Sequence, residues 1–231
     1  MYPVIITLAL VTAGALCYLF WRYIWFFRNP HRTIPPTGSG ILSPADGTVV
    51  YVKQMKPHES VINIKRGVEA TLNDITREDM TSPKTVIGIF MSPFNVHYNR
   101  IPVSGTIQFV HHHLPSTANV CMLWMHLRTL FRRPPLYKNS THIVLNERAV
   151  TKIEGEYRGN RIGCYVVQIA AKSVSGIDVY AREGQKVSAG EIYGMIRIGS
   201  QVDLVVTPLE GMNIRVRPGQ KVRAGRTVLI D

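Results

Sequence analysis

Apolar residues run without a charge from Tyr2 to Phe20, then give way to aromatics mixed with arginine in Trp21-Arg22-Tyr23-Ile24-Trp25-Phe26-Phe27-Arg28. A run of about 20 such residues is long enough to cross a bilayer core as a helix. A border of aromatic and basic side chains suits the membrane-water interface. No basic residue precedes the run and no small-residue cleavage site ends it, which favours a retained anchor over a cleaved signal peptide. Arg22, Arg28 and Arg32 all follow the span, so the positive-inside rule places the body of the chain on the cytoplasmic side of the cell membrane.

Beyond the anchor the apolar period shortens to two. Pro30, Pro35, Pro36 and Gly38-Ser39-Gly40 read as a linker, after which Ser43-Pro44-Ala45-Asp46-Gly47 reads as a turn feeding an alternating strand through Val52. Residues 53–85 mix short apolar stretches with charges and leave room for a helical turn or two between Val68 and Met80. Thr85–Met91 and Cys164–Ala170 have the unbroken apolar character of buried strands. Gly194–Leu204 reads as one more buried strand, interrupted by Gly199-Ser200. Asn119–Arg133 is apolar with a basic end and is closed by Pro134-Pro135, which suits a short amphipathic helix lying at a membrane surface. The division expected is an anchor and interfacial segment over 1–28, a linker over 29–40 and a β domain over 41–231.

Two internal echoes sharpen the fold class. Pro44-Ala-Asp-Gly47-Thr-Val49 resembles Pro102-Val-Ser-Gly105-Thr-Ile107, and Glu183-Gly-Gln-Lys-Val-Ser-Ala-Gly190 matches Pro218-Gly-Gln-Lys-Val-Arg-Ala-Gly225 at six of eight positions. Turns of this Gly-x-x-Val-x-x-Gly kind join the short strands of sandwiched barrels such as biotinyl and lipoyl carriers. The expectation is a mainly β, barrel-sandwich-like domain carrying an N-terminal transmembrane helix and a short amphipathic helix.

The net charge of +12 points to an anionic partner. The basic residues follow no nucleic-acid module, so a lipid surface is the expected partner and nucleic acid is not. Cys17, Cys121 and Cys164 are an odd set without metal-ligand spacing, and no disulfide framework is expected. His111 and His113 share a face if residues 105–113 form a strand, but no spacing supplies further ligands, and no metal site is expected.

Three distant segments offer the parts of an assisted nucleophile: Asp46 in a turn, His97 in a Pro-flanked loop, and Ser200 after Gly199. These and their neighbours carry a resemblance. Ser43-Pro-Ala-Asp-Gly47, Ser92-Pro-Phe-Asn-Val-His97-Tyr-Asn-Arg100-Ile-Pro102-Val-Ser-Gly105, Asn146-Glu-Arg148 and Gly194-Met-Ile-Arg-Ile-Gly-Ser200 resemble, in the same order, the phosphatidylserine decarboxylase family. The similarity is greatest to its short, membrane-anchored bacterial and archaeal members, archaetidylserine decarboxylases among them.

The resemblance implies a self-processing enzyme cut at Gly199–Ser200 into chains 1–199 and 200–231. The cofactor is then a covalent pyruvoyl group made from Ser200, which forms a Schiff base with the serine amine of an anionic phospholipid, diacyl or ether-linked. The same resemblance makes Asp46 an aid to cleavage and His97 a group that handles protons or meets the substrate carboxylate. Asn95 and Arg100 are expected substrate contacts, and a homodimer is the expected assembly. Arg100 departs from the family pattern, since some bacterial members carry a second His there, and Arg cannot act as a base. A tethered barrel carrier or adaptor is the competing class. It is disfavoured because Pro208-Leu-Glu-Gly211-Met has no lysine to modify and no heptad run supplies a coiled coil.

Overall fold

The computed structural model describes residues 2–36, 38, 40–56, 59–65, 68–77, 81–115, 118–172, 176–197 and 199–231. Ile198 and positions 78–80 of the expected helical stretch therefore fall outside the described residues.

The first helix, α1 (Tyr2–Leu19), has no buried residue and continues into a π-helical turn over Phe20–Trp25. Together they are long and apolar enough to cross a membrane. The next elements are β1 (Ile41–Leu42), β2 (Gly47–Met55), β3 (Ser60–Lys65), β4 (Val68–Thr71), α2 (Leu72–Thr76), β5 (Lys84–Met91), β6 (Tyr98–Arg100) and β7 (Gly105–His113). Then come α3 (Leu123–Leu130), α4 (His142–Leu145), β8 (Arg148–Tyr157), β9 (Asn160–Ala170) and β10 (Ile177–Val179). The chain ends with β11 (Lys186–Val187), β12 (Ile192–Ile196), β13 (Ser200–Val206), β14 (Lys221–Val222) and β15 (Val228–Ile230).

The protein is mainly β, as the turn pattern led one to expect. An eight-stranded antiparallel sheet runs in the order β11-β7-β8-β9-β13-β5-β2-β14, and a smaller sheet runs β10-β12-β6. Alternation along β5 shows how the layers form. Ile87, Ile89 and Met91 pack toward Ile101, Ile177, Tyr193 and Ile196 beside the smaller sheet. Val86 and Phe90 turn the other way, toward Leu72, Ile75, Met125 and Ile143 on the helices. The large sheet thus has a β layer on one face and a helical layer on the other, and burial on both faces makes the central strand β5 almost wholly apolar from Val86 to Met91.

The two sequence echoes are the two ends of this sheet. Val187 pairs with Gly105 and Lys186 with Thr106 at one end, while Val222 pairs with Gly47 and Lys221 with Thr48 at the other. The flanking bonds repeat as well. Ile107 N donates to Gln185 O, and Val49 N donates to Gln220 O, both at 2.9 Å. A Cβ on Gly225 would stand 3.2 Å from Gly190 Cα, so the two repeats meet back to back.

Gly194–Leu204 differs from the single strand expected. It divides between β12 in the small sheet and β13 in the large one, with Gly199 at the corner in the left-handed region (φ 62°). A non-glycine residue is strained at that φ, and the change of sheet is what demands it. Space is not the constraint, since the nearest atom to a Cβ there would be Ala171 Cβ at 3.9 Å.

Candidate functional site

Ser200 opens β13 between the ends of two neighbours, opposite Met91 of β5 and Ala170 of β9. It is fully buried, and its hydroxyl donates to Met91 Sδ at 3.3 Å. A thioether is a weak acceptor, so the hydroxyl is held in place without a strong bond. The same sulfur receives Asn99 Nδ2 at 3.7 Å, and Asn99 Oδ1 accepts from Gln168 Nε2 at 2.8 Å.

The sheet register brings Asp46 to the same end. Thr48 pairs with Phe90, one residue before Met91, and a Cβ on Gly47 would stand 2.2 Å from Phe90 O. Asp46 is buried. Its carboxylate receives Arg32 through both Nη1 and Nη2, at 2.5 and 2.9 Å, and accepts from Ala224 N at 2.7 Å.

His97 follows the Ser92–Val96 loop and is fully buried. Its backbone carbonyl accepts from Ile196 N at 3.3 Å, which ties it to the last residue of β12, just ahead of the Gly199 corner. Its Nδ1 lies 2.9 Å from Asn95 O and so carries the proton. Nε2 is then an acceptor, buried and without a hydrogen-bond partner among the described residues. Phe26 lies against the ring with centroids 4.3 Å apart. Burial lowers the His97 pKa to about 4; the Asn95 carbonyl and Asp46 pull it back upward and Arg28 pushes it further down. The imidazole is therefore neutral at neutral pH, with its basic nitrogen free.

A cleft of about 690 Å³ opens beside Asp46. Arg28, Arg132, Lys221 and Arg223 line it, with Asn95 and the α3 residue His126. Asn95 Oδ1 is occupied by Ser92, accepting from its N at 2.9 Å and its Oγ at 2.8 Å. Arg100 faces the linker, where it donates to Gly190 O at 2.7 Å and to Asn29 Oδ1 at 2.9 Å.

Several residues of the site were not legible in the sequence. Arg32 read only as a topology charge, with no motif beside it, and Met91 only as a strand end, its sole signal its place before the Ser92 motif. The Asn146-Glu147-Arg148 motif is architectural. Arg148 is fully buried and donates to carbonyls of Asp74, Ile75, Ile143, Val144 and Asn146, tying α2 and α4 to the sheet. On the helical face of β13, Asp203 accepts from Tyr51 Oη at 2.8 Å and from Gln201 Nε2 at 2.7 Å. Burial raises the Asp203 pKa to about 6, against the pull of those bonds and of Arg148.

Residues 19–230 match the family model of phosphatidylserine decarboxylase. The chain belongs to the phosphatidylserine decarboxylase family. A phosphatidylserine decarboxylase proenzyme of Nitratidesulfovibrio vulgaris is 34% identical over 204 residues, which is 86% of this chain and 75% of that protein. One from Chlorobium phaeovibrioides is 30% identical over 199 residues, 86% of this chain and 72% of that protein. A putative archaetidylserine decarboxylase proenzyme of Methanocaldococcus jannaschii is 32% identical over 196 residues, 84% and 82% of the two chains. Family membership makes the chain a decarboxylase and sets the tethered carrier aside.

Proposed function

We propose that the chain is a proenzyme that cuts itself at Gly199–Ser200 and then decarboxylates the serine head group of an anionic membrane phospholipid, as phosphatidylserine to phosphatidylethanolamine. The observation that carries this reading is the Ser200 corner: a buried hydroxyl on a thioether, after a left-handed glycine, in a site that also holds a neutral imidazole with a free Nε2. In such a dry site His97 takes the hydroxyl proton as Ser200 Oγ attacks the Gly199 carbonyl carbon. The C–N bond breaks and the nitrogen takes up the proton, leaving Gly199 joined to Ser200 Oγ as an ester. Loss of the Ser200 α-proton expels the Gly199 carboxylate and leaves dehydroalanine. Water then replaces the nitrogen, released as ammonia, and a pyruvoyl group caps chain 200–231.

The residues present fit that group. Gln168 Oε1 and His97 Nε2 are buried and unpartnered among the described residues, which leaves two buried acceptors to receive an N–H or O–H or to move a proton. Such a group would supply a carbonyl for the substrate amine and an electron sink for the decarboxylation. Asp46 stabilises positive charge at the site, and the basic cleft suits the phosphate of the head group. Asn95, at the cleft wall, is a proposed substrate contact. Arg100 in that role has first to leave Gly190 and Asn29.

A membrane-bound substrate also accounts for α3. Its Trp124 and Leu130, with Phe131 just beyond, are 59%, 63% and 63% exposed beside Arg132 at the cleft mouth, a composition for the lipid interface on the anchor's cytoplasmic side.

Intact mass under denaturing conditions tests the reading. Two chains are expected, the smaller starting with a blocked group at position 200, and Ser200→Ala gives one uncut, inactive chain. A single uncut chain in an active preparation overturns the mechanism.

A further inference from the structure

The segment between the anchor and the first strand is packed down at five positions between Phe26 and Ile34. Phe26 is fully buried on the His97 ring. Arg28 Nη2 donates to Phe94 O at 2.6 Å. Asn29 Oδ1 holds Arg100. Arg32 grips Asp46 and also donates to Ala224 O at 2.8 Å. Ile34 covers the seam between the two repeats, where a Cβ on Gly190 would stand 2.6 Å from its Cδ1. A Pro-rich linker has no need of such contacts.

The twin turn shows that the Arg32 contact is not required by the fold. Ser104 occupies the position of Asp46 and accepts from Ala189 N at 2.9 Å, as Asp46 accepts from Ala224 N at 2.7 Å. A hydroxyl therefore satisfies the backbone donor. The carboxylate and its arginine are an addition confined to the end that holds Ser200.

We propose that the juxtamembrane segment Phe26–Arg32 forms a wall of the self-processing site, with Arg32 as the positioning residue of Asp46. The planar guanidinium meets both carboxylate oxygens and fixes the plane of Asp46, which a point charge on a flexible stem does not do. Through Ala224, Arg32 also bridges residue 46 of the large chain and residue 224 of the small one, so the contact outlasts cleavage. Arg28 and Arg32 face Asp46 from this segment, His97 and Arg100 from the loop and strand after β5, and Lys221 and Arg223 share its cleft. Among the described residues only Arg32 engages both oxygens.

This inference rests on the self-cleavage proposed above, and a double-mutant cycle separates the two. The full-length chain is followed in neutral-lipid nanodiscs for release of fragment 200–231, as wild type, Arg32→Ala, Asp46→Asn and the double variant. Arg32→Ala is expected to slow cleavage about 10- to 100-fold, and the double variant to be no slower than Asp46→Asn alone, because coupled residues do not add. Added guanidinium restores cleavage in Arg32→Ala, an equal concentration of sodium chloride does not, and Arg32→Lys recovers only part. If the two substitutions multiply, or guanidinium leaves a folded Arg32→Ala unchanged, Arg32 is a packing residue and the inference falls while self-cleavage stands. A wild-type chain that never releases the fragment overturns the underlying mechanism instead.

Discussion

The two ends of the large sheet are built from the same parts and face different surroundings. Pro44-Ala-Asp46-Gly47-Thr48 and Pro102-Val-Ser104-Gly105-Thr106 each receive the backbone of a Gly-Gln-Lys-Val repeat, with the same pairing at each glycine. Each supplies one side-chain oxygen to an alanine N–H, at 2.7 Å from Ala224 and 2.9 Å from Ala189. Each also borders a cleft. The one at Asp46 is lined by Arg28, Arg132, Lys221 and Arg223. The one at Ser104, about 550 Å³, carries Glu154, Glu156 and Arg161. The shared features are what the fold needs, a glycine for close approach and an acceptor for one donor. Burying a charge beyond that need is expensive unless it is paired. The pairing of Asp46 with Arg32 is what sets this end apart from its twin.

Exchanging the twins tests that distinction most severely. Asp46→Ser copies the acceptor used at residue 104 but leaves the buried Arg32 with only its Ala224 bond, so the chain should fold with a lowered thermal transition. Release of fragment 200–231 should slow by about 100-fold or more, in the range associated with a positioned charged group. Normal cleavage in Asp46→Ser would falsify a chemical role for the carboxylate and make the two ends equivalent.

The next effect is on pH dependence, because the Asp46 end holds the buried imidazole of His97. His97 accepts a proton only when neutral, and its pKa of about 4 keeps it neutral above that pH. The cleavage rate should therefore fall on the acid side as the pH drops through about 4. Phe26→Ala admits water to the ring and should move that limb upward, toward the ordinary imidazole value of about 6.5. An unmoved limb in a cleaving Phe26→Ala chain would show that His97 is not the titrating base. The groups facing the ring are Arg28, Asp46 and the Asn95 carbonyl, and desolvation outweighs each of them.

The smallest effect belongs to the other twin. Ser104→Ala leaves the Ala189 N–H without its acceptor, at a cost of about 1 kcal/mol. That corresponds to roughly 2–4 °C in the melting temperature of a chain this size. Cleavage and decarboxylation rates should not change. A tenfold loss of cleavage in Ser104→Ala would mean that the quiet end is part of the working site after all.

The sequence by itself determined the local periodicities and the residues that can do chemistry. Unbroken apolar character marked α1, which is long and apolar enough to cross a membrane, and the stretches Thr85–Met91 of β5 and Cys164–Ala170 of β9, because strands buried on both faces leave little place for charge. The paired Gly-Gln-Lys-Val turns announced a doubled β fold, and Asp46, His97 and Ser200 stood out as acid, imidazole and hydroxyl in family motifs. Only the tertiary structure decided what those residues meet. The break of Gly194–Leu204 at Gly199 depends on which sheet each half joins, and a run of Ile and Val satisfies either. Arg148 and Arg32 look alike as basic residues in a chain of +12. One spends its donors on helix-end carbonyls and the other closes on a carboxylate, because partners 192 residues away, such as Ala224 for Arg32, have no trace in local pattern. The linker shows the same limit: its prolines and glycines predicted extended, irregular chain, but the surface under that chain exists only once β6, the two repeats and the Asp46 turn have come together.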